Sequence, residues 1–162
     1  MRSRECLLGL CLLLGCPFAT CQSTSSTPEH GDIAILVNPS NPVNELSLSD
    51  LRRMLSGDRR FWQGNVQVKL VLPQPGTWER DEILSMVLKA NNAEFNKGWM
   101  EKVFRGEAID VPLSVASAAA AQQYLISTPG GITFMFAKET PRQLKVLRLD
   151  GKLPGESGYV LR

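Results

Sequence analysis

From residue 33 to the end of the chain, short apolar runs alternate with stretches in which apolar residues recur at helical spacing. The run Ile33-Ala34-Ile35-Leu36-Val37 stops at Asn38-Pro39. It is too short for a helix and predicts a buried strand. Leu46 to Leu55 places Leu48, Leu51 and Leu55 on one face, has Ser47 and Asp50 at capping-box spacing, and is followed by Gly57. That pattern predicts a short amphipathic helix. A second strand is predicted over Val66 to Leu72. After Pro73-Gln74-Pro75-Gly76 a helix follows from Trp78 to Ala90, its core stripe formed by Ile83, Leu84, Val87 and Leu88.

Asn92 is placed to cap a further helix running to Phe104, with Gly106 as its stop. Leu113-Ser114-Val115 follows a loop containing Pro112. Ser117 then opens an alanine-rich helix over Ala118 to Ile126, and Thr128-Pro129-Gly130-Gly131 ends it before the strand Ile132 to Phe136. Lys145 to Leu149 predicts one more strand, and the Gly- and Pro-containing last dozen residues give no clear pattern. Trp99 and Phe104 are expected in the core. Strands alternating with helices predict an α/β domain whose sheet is mainly parallel, flanked by helices and joined by right-handed crossovers.

The N-terminal segment changes the picture of where the domain begins. Arg2 and Arg4 precede a compact apolar run from Cys6 to Gly15, and Ala19-Thr20-Cys21-Gln22-Ser23 offers a cleavage region. This reads as a secretory signal peptide over residues 1–21, its apolar run being shorter than the roughly 20 residues a membrane span needs. Residues 22–31 are polar and read as a flexible tether, leaving 32–162 for the domain. All four cysteines, Cys6, Cys11, Cys16 and Cys21, lie within the leader. Cleavage after Cys21 removes them, so no disulfide framework or thiolate metal site is expected. The competing reading takes Leu13-Leu14-Gly15-Cys16 as a lipobox, with the chain anchored by lipid on Cys16.

The chain has 162 residues, with 18 Lys and Arg against 16 Asp and Glu. That balance gives no excess of positive charge for nucleic acid, and the composition is that of one globular domain. No later segment predicts a membrane span. His30, the only histidine, falls in the tether, so neither a histidine-based triad nor a histidine metal site is expected. No cofactor is predicted. Arg52, Arg53, Arg59 and Arg60 form a basic cluster near Phe61-Trp62, which reads first as a solvated face over packed aromatics and second as a surface that receives an acidic partner or stacks on a ligand.

Ligands of such sheets collect at the carboxyl ends of strands. There the loop after the second strand delivers Thr77 to a helix start, where unpaired N–H groups favour an anion and Arg80 falls in the first turn. The residues leave two readings open. One is an ordinary capped helix in which Glu79, Asp81 and Glu82 suit the dipole and pair with Arg80, and the other is an anion site. Ser117 is first a helix cap.

The order of these segments resembles the phosphate-binding proteins of bacterial ABC transporters. The resemblance runs through Ile33 to Val43, Leu46 to Gly57, Trp62, Gly76-Thr77-Trp78-Glu79-Arg80, Trp99, Phe104-Arg105-Gly106 and Thr128-Pro129-Gly130-Gly131-Ile132. It implies a periplasmic-binding-protein-like fold of the second type, here as a single lobe. It further implies an oxyanion ligand, phosphate or a relative of it, held by Gly76, Thr77, Arg80 and Ser117, the last near the cleft between lobes. A transporter permease or an envelope sensor would be the protein partner. The family's Gly-Ser-Gly-Thr-Arg pattern falls on Gly76 to Arg80, but Trp78 stands for a glycine and Glu79 for a hydroxyl residue, and a carboxylate opposes phosphate. Two functions therefore stand side by side, a secreted non-catalytic solute-binding module and an envelope adaptor that kept the fold and lost the ligand.

Overall fold

The structure is a computed structural model describing residues 31–162; the predicted leader, the acylation site at Cys16 and nearly all of the predicted tether lie outside the described residues. Its centre is a five-stranded sheet. The strands are β1 (Ile33–Val37), β3 (Lys69–Pro73), β4 (Leu113–Val115), β5 (Gly131–Phe136) and β6 (Lys145–Val146), in the order β4-β3-β5-β1-β6. β3 runs parallel to both β4 and β5, with Val71 opposite Leu113 and Leu70 opposite Ile132. β1 runs antiparallel to β5 and to β6. Four strands thus share one direction, and the sheet is mainly parallel with β1 reversed.

All five residues of β1 are buried because both faces of the sheet are covered. Ile33, Ile35 and Val37 point to one core with Leu72, Ile132 and Phe134. That face is roofed by α1 (Leu48–Leu55), α2 (Trp78–Ile83) and α3 (Asn92–Phe104), which contribute Leu51, Met54, Ile83, Phe95 and Trp99. Ala34 and Leu36 point the other way, with Val71 and Met135, against Ala121 and Leu125 of α4 (Ala118–Ser127). Each fully buried leucine, isoleucine or phenylalanine contributes about 1.5–3 kcal/mol of burial.

The helix starts follow the capping residues with small shifts. Ser47 accepts from the Asp50 amide at 3.0 Å, but the residues before it, Glu45–Leu46, form a short strand β2 paired with β7 (Arg148–Leu149) and not the first turn of the helix. α3 is capped one residue earlier than expected. Asn91 accepts from the Glu94 amide while the Glu94 carboxylate accepts from the Asn91 amide. α2 widens into a π-helical turn over Leu84–Leu88 and ends at Lys89, whose φ is +56°. The Arg52 guanidinium donates to the Val87 carbonyl at 2.7 Å, satisfying one of the carbonyls such an end leaves open.

Two expectations are corrected. Phe104 is 94% exposed. It lies five residues past the buried Trp99, about 140° around the helix, and so turns away from the core. The predicted Lys145 to Leu149 strand divides at Leu147 into β6 and β7, which pair with different strands. The C-terminal residues, patternless in sequence, pack into the core. Leu161 accepts from the Ile33 amide at 2.9 Å, and the Tyr159 hydroxyl donates to the Ile33 carbonyl at 2.7 Å. Burial, reinforced by Asp32, pushes the Tyr159 pKa above the ordinary tyrosine range.

Candidate ligand site

β3 ends at Pro73, and the chain reverses through Gln74-Pro75-Gly76-Thr77. The Thr77 amide donates to the Gln74 carbonyl at 3.2 Å and Gly76 has φ +86°, as a turn with proline second and a residue of positive φ third requires. Thr77 occupies the cap position of α2, but its hydroxyl makes no cap bond and donates to the Gln74 carbonyl at 2.9 Å. The expected capping role of Thr77 is therefore replaced by turn closure.

Arg80 is 2% exposed. Its Nε donates to Asn92 Oδ1 at 2.6 Å, and Nη1 donates to the Pro73 carbonyl at 3.0 Å and to Ser114 Oγ at 2.9 Å. Nη2 donates to Asn96 Oδ1 at 3.2 Å, and the group lies 5.6 Å from the centre of the Phe95 ring. The guanidinium therefore ties together the end of β3, β4 and α3. Asn92 in turn donates to the Asp81 carboxylate. Burial draws the Arg80 pKa below its ordinary value and Asp81 opposes the shift; guanidinium remains a cation throughout.

A cavity of about 200 Å³ opens where β3, β4 and β5 end. Thr77 and Ser117 both line it; Gly76 and Arg80 do not. Ser117 caps α4, its hydroxyl accepting from the Ala120 amide at 3.2 Å, and Ala118 lines the cavity beside it. The first amides of α4, those of Ala118 and Ala119, have no acceptor within the helix. Thr133 of β5 also lines the cavity, is wholly buried, and its hydroxyl has no hydrogen-bond partner. The remaining polar side chains of the lining are Gln74 and two carboxylates, Glu79 and Glu139. Neither carboxylate forms an ion pair with a described residue. Trp78 stacks on Phe136 at 5.4 Å between ring centres, fixing the start of α2 against the end of β5.

Thr133 is the cavity residue that pattern reading missed. Its signal was a lone hydroxyl in the apolar run Gly131-Ile132-Thr133-Phe134-Met135-Phe136, in a strand covered on both faces. The partners of Arg80 were also missed.

A larger cavity of about 720 Å³ lies at the other end of β3 and β4, lined by Arg59, Arg60, Phe61, Lys69, Trp99 and the segment 108–114. The basic cluster near it is mostly spent on the protein itself. Arg59 pairs with Asp50 at 2.8 Å, Arg60 donates to the Glu107 carbonyl at 2.5 Å, and Trp62 is buried with Nε1 donating to the Gly130 carbonyl at 3.0 Å. Among the described residues no group of three His, Cys, Asp or Glu side chains is placed to hold a metal, and no helix is long and apolar enough to cross a membrane.

No protein-family model and no curated protein matches the chain. Solved structures match its fold. An ABC-type phosphate transport receptor from Vibrio cholerae superposes with a TM-score of 0.64 at 15% identity, covering 81% of this chain and 53% of that one. PstS from Borrelia burgdorferi superposes with 0.60 at 13% identity, covering 76% and 49%. A phosphate binding protein from Stenotrophomonas maltophilia gives 0.55 at 13% identity, covering 76% and 40%. The α/β fold is therefore similar to that of phosphate-transport binding proteins, and the chain spans about half the length of those it matches.

Proposed function

We propose that this chain is a non-catalytic solute-binding module that seats a small oxyanionic group at the start of α4. The observation that carries the reading is Thr133, a wholly buried residue with an unpartnered hydroxyl, among the residues lining the cavity that Ser117 and Ala118 also line. An unsatisfied buried hydroxyl costs about 1–3 kcal/mol, and a ligand acceptor would relieve it. The unpaired amides of a helix start supply the complementary charge. The site sits at the carboxyl ends of the parallel strands, where ligands of α/β sheets collect. The fold likeness to phosphate-binding proteins supports an oxyanion, and their being binding proteins supports holding over turnover. In this reading the module acts outside the cytoplasm, exported by the segment 1–21, and presents its ligand to a transporter permease or an envelope sensor. Thr77 contributes to the wall through the turn it closes, Gly76 by permitting that turn, and Arg80 by fixing the strand ends around the cavity.

A second reading, an adaptor that has kept the fold without the ligand, is favoured by one observation. The guanidinium that the family pattern would offer to an anion is bonded to the protein, while two carboxylates line the cavity. Calorimetric titration of the purified chain with sodium phosphate and sodium sulfate, repeated with Thr133→Val and Ser117→Ala, separates the two. The binding module is expected to give saturable heat, with affinity falling roughly 10- to 100-fold in each variant, as the loss of a charge-assisted hydrogen bond dictates. A folded protein that gives no saturable heat with these anions or with any ligand carrying an oxyanionic head would support the adaptor.

A further inference from the structure

We infer that the ligand of the α4 cavity is a small zwitterion, an oxyanionic head joined by a short linker to an ammonium group. This rests on the binding reading above and narrows it to a substrate class. The cavity has two walls of opposite character. Ser117 and the first amides of α4 offer donors at the positive end of a helix dipole, and the unpartnered Thr133 hydroxyl adds another. Glu79, from α2, and Glu139, from the turn after β5, offer carboxylates with no ion-pair partner among the described residues.

No arginine or lysine lines the cavity. Arg80, the nearest candidate in sequence, already makes four hydrogen bonds to protein acceptors. A simple anion would satisfy the α4 wall and be repelled by both carboxylates, and a simple cation would meet the reverse. Only a ligand bearing both charges matches both walls. The cavity's about 200 Å³, roughly seven waters at about 30 Å³ each, has room for an amino acid or amino-phosphonate of about six to eight non-hydrogen atoms.

The test is a calorimetric comparison on the purified chain of L-alanine, 2-aminoethylphosphonate, sodium phosphate, sodium acetate and ethylammonium chloride. The wild-type chain is compared with Glu79→Gln, Glu139→Gln and Thr133→Val. At least one of the two zwitterions is expected to bind tenfold or more tighter than phosphate, acetate or ethylammonium, and which of them does so identifies the head group. Each glutamine substitution should weaken the zwitterion about tenfold while leaving acetate unchanged or tighter, and Thr133→Val should weaken acetate and zwitterion together. Phosphate or acetate binding as tightly as either zwitterion, undiminished by the carboxylates, would overturn the inference and leave the oxyanion-binding reading standing. No saturable binding of any of the five to a chain shown to be folded would overturn both.

Discussion

Alanine at position 130 is expected to lower the melting temperature by roughly 10 °C or more, or to prevent folding outright. A Cβ built on Gly130 falls 1.8 Å from the Gln67 carbonyl oxygen and 3.0 Å from its carbon, both backbone atoms that no rotamer change can move. The Gly130 carbonyl also accepts from the Lys69 amide at 2.9 Å and from Trp62 Nε1 at 3.0 Å. Making room for a methyl group means pulling the segment before β3 away from β5, and both bonds would go with it. Overpacking of about 1–3 kcal/mol and two lost buried hydrogen bonds at about 1 kcal/mol each give a total near 3–5 kcal/mol. That is a large part of a typical stability of 5–15 kcal/mol. Gly98 is the control. It lies inside α3 with nothing within 4 Å of an added Cβ, so Gly98→Ala is expected to be neutral or to stabilise by about 0.5–1 kcal/mol. Thermal and urea unfolding followed by circular dichroism compares the pair, and equal effects of the two substitutions would contradict the packing described.

Arg80→Met is expected to destabilise the domain by about 3 kcal/mol or more, and Arg80→Lys by nearly as much. The buried guanidinium satisfies the Pro73 carbonyl, Ser114 Oγ, Asn92 Oδ1 and Asn96 Oδ1 at once. Methionine keeps the apolar stem over Phe95 but removes all four hydrogen bonds from a charged donor, leaving the half-buried Pro73 carbonyl and Asn92 Oδ1 poorly satisfied while water can reach the exposed Ser114 and Asn96; such bonds are worth about 1.5–3 kcal/mol in isolation and less when neighbours or water relax into place. Lysine has no planar fork and cannot reach acceptors from three elements together. Urea midpoints of the three proteins measure this. Wild-type stability in either variant, with ligand binding alone abolished, would instead show that Arg80 serves the ligand and not the fold.

The same residue shows how far the sequence could be read. Positive charge in the first turn of α2 is unfavourable against the helix dipole, so Arg80 marked itself as needing a reason. The reason lay in Asn92, Asn96 and Ser114, which are 12 to 34 residues away in sequence and meet Arg80 only because α3 lies beside α2 and β4 pairs with β3. Local pattern placed β1, α1, α3, α4 and β5 within a few residues, because continuous apolar runs, capping residues and stop glycines act within one element. It did not show that β1 is reversed, since a strand buried on both faces reads the same in either direction. Of the four residues that the family resemblance grouped, Thr77 and Ser117 line one cavity and Gly76 and Arg80 do not. Thr133 escaped notice because one hydroxyl in an apolar strand has meaning only when its surroundings supply no partner.

The most direct test of the ligand seat is a residue-by-residue record of amide chemical shifts as the purified chain is titrated with 2-aminoethylphosphonate and, separately, with sodium phosphate. Saturable shifts concentrated at Ser117, Ala118, Ala119 and Thr133 are expected for the ligand that binds, with Lys69, Val111 and the rest of the larger cavity unmoved. Shifts centred on the larger cavity, or saturable binding that leaves the start of α4 and Thr133 unchanged, would contradict that seat.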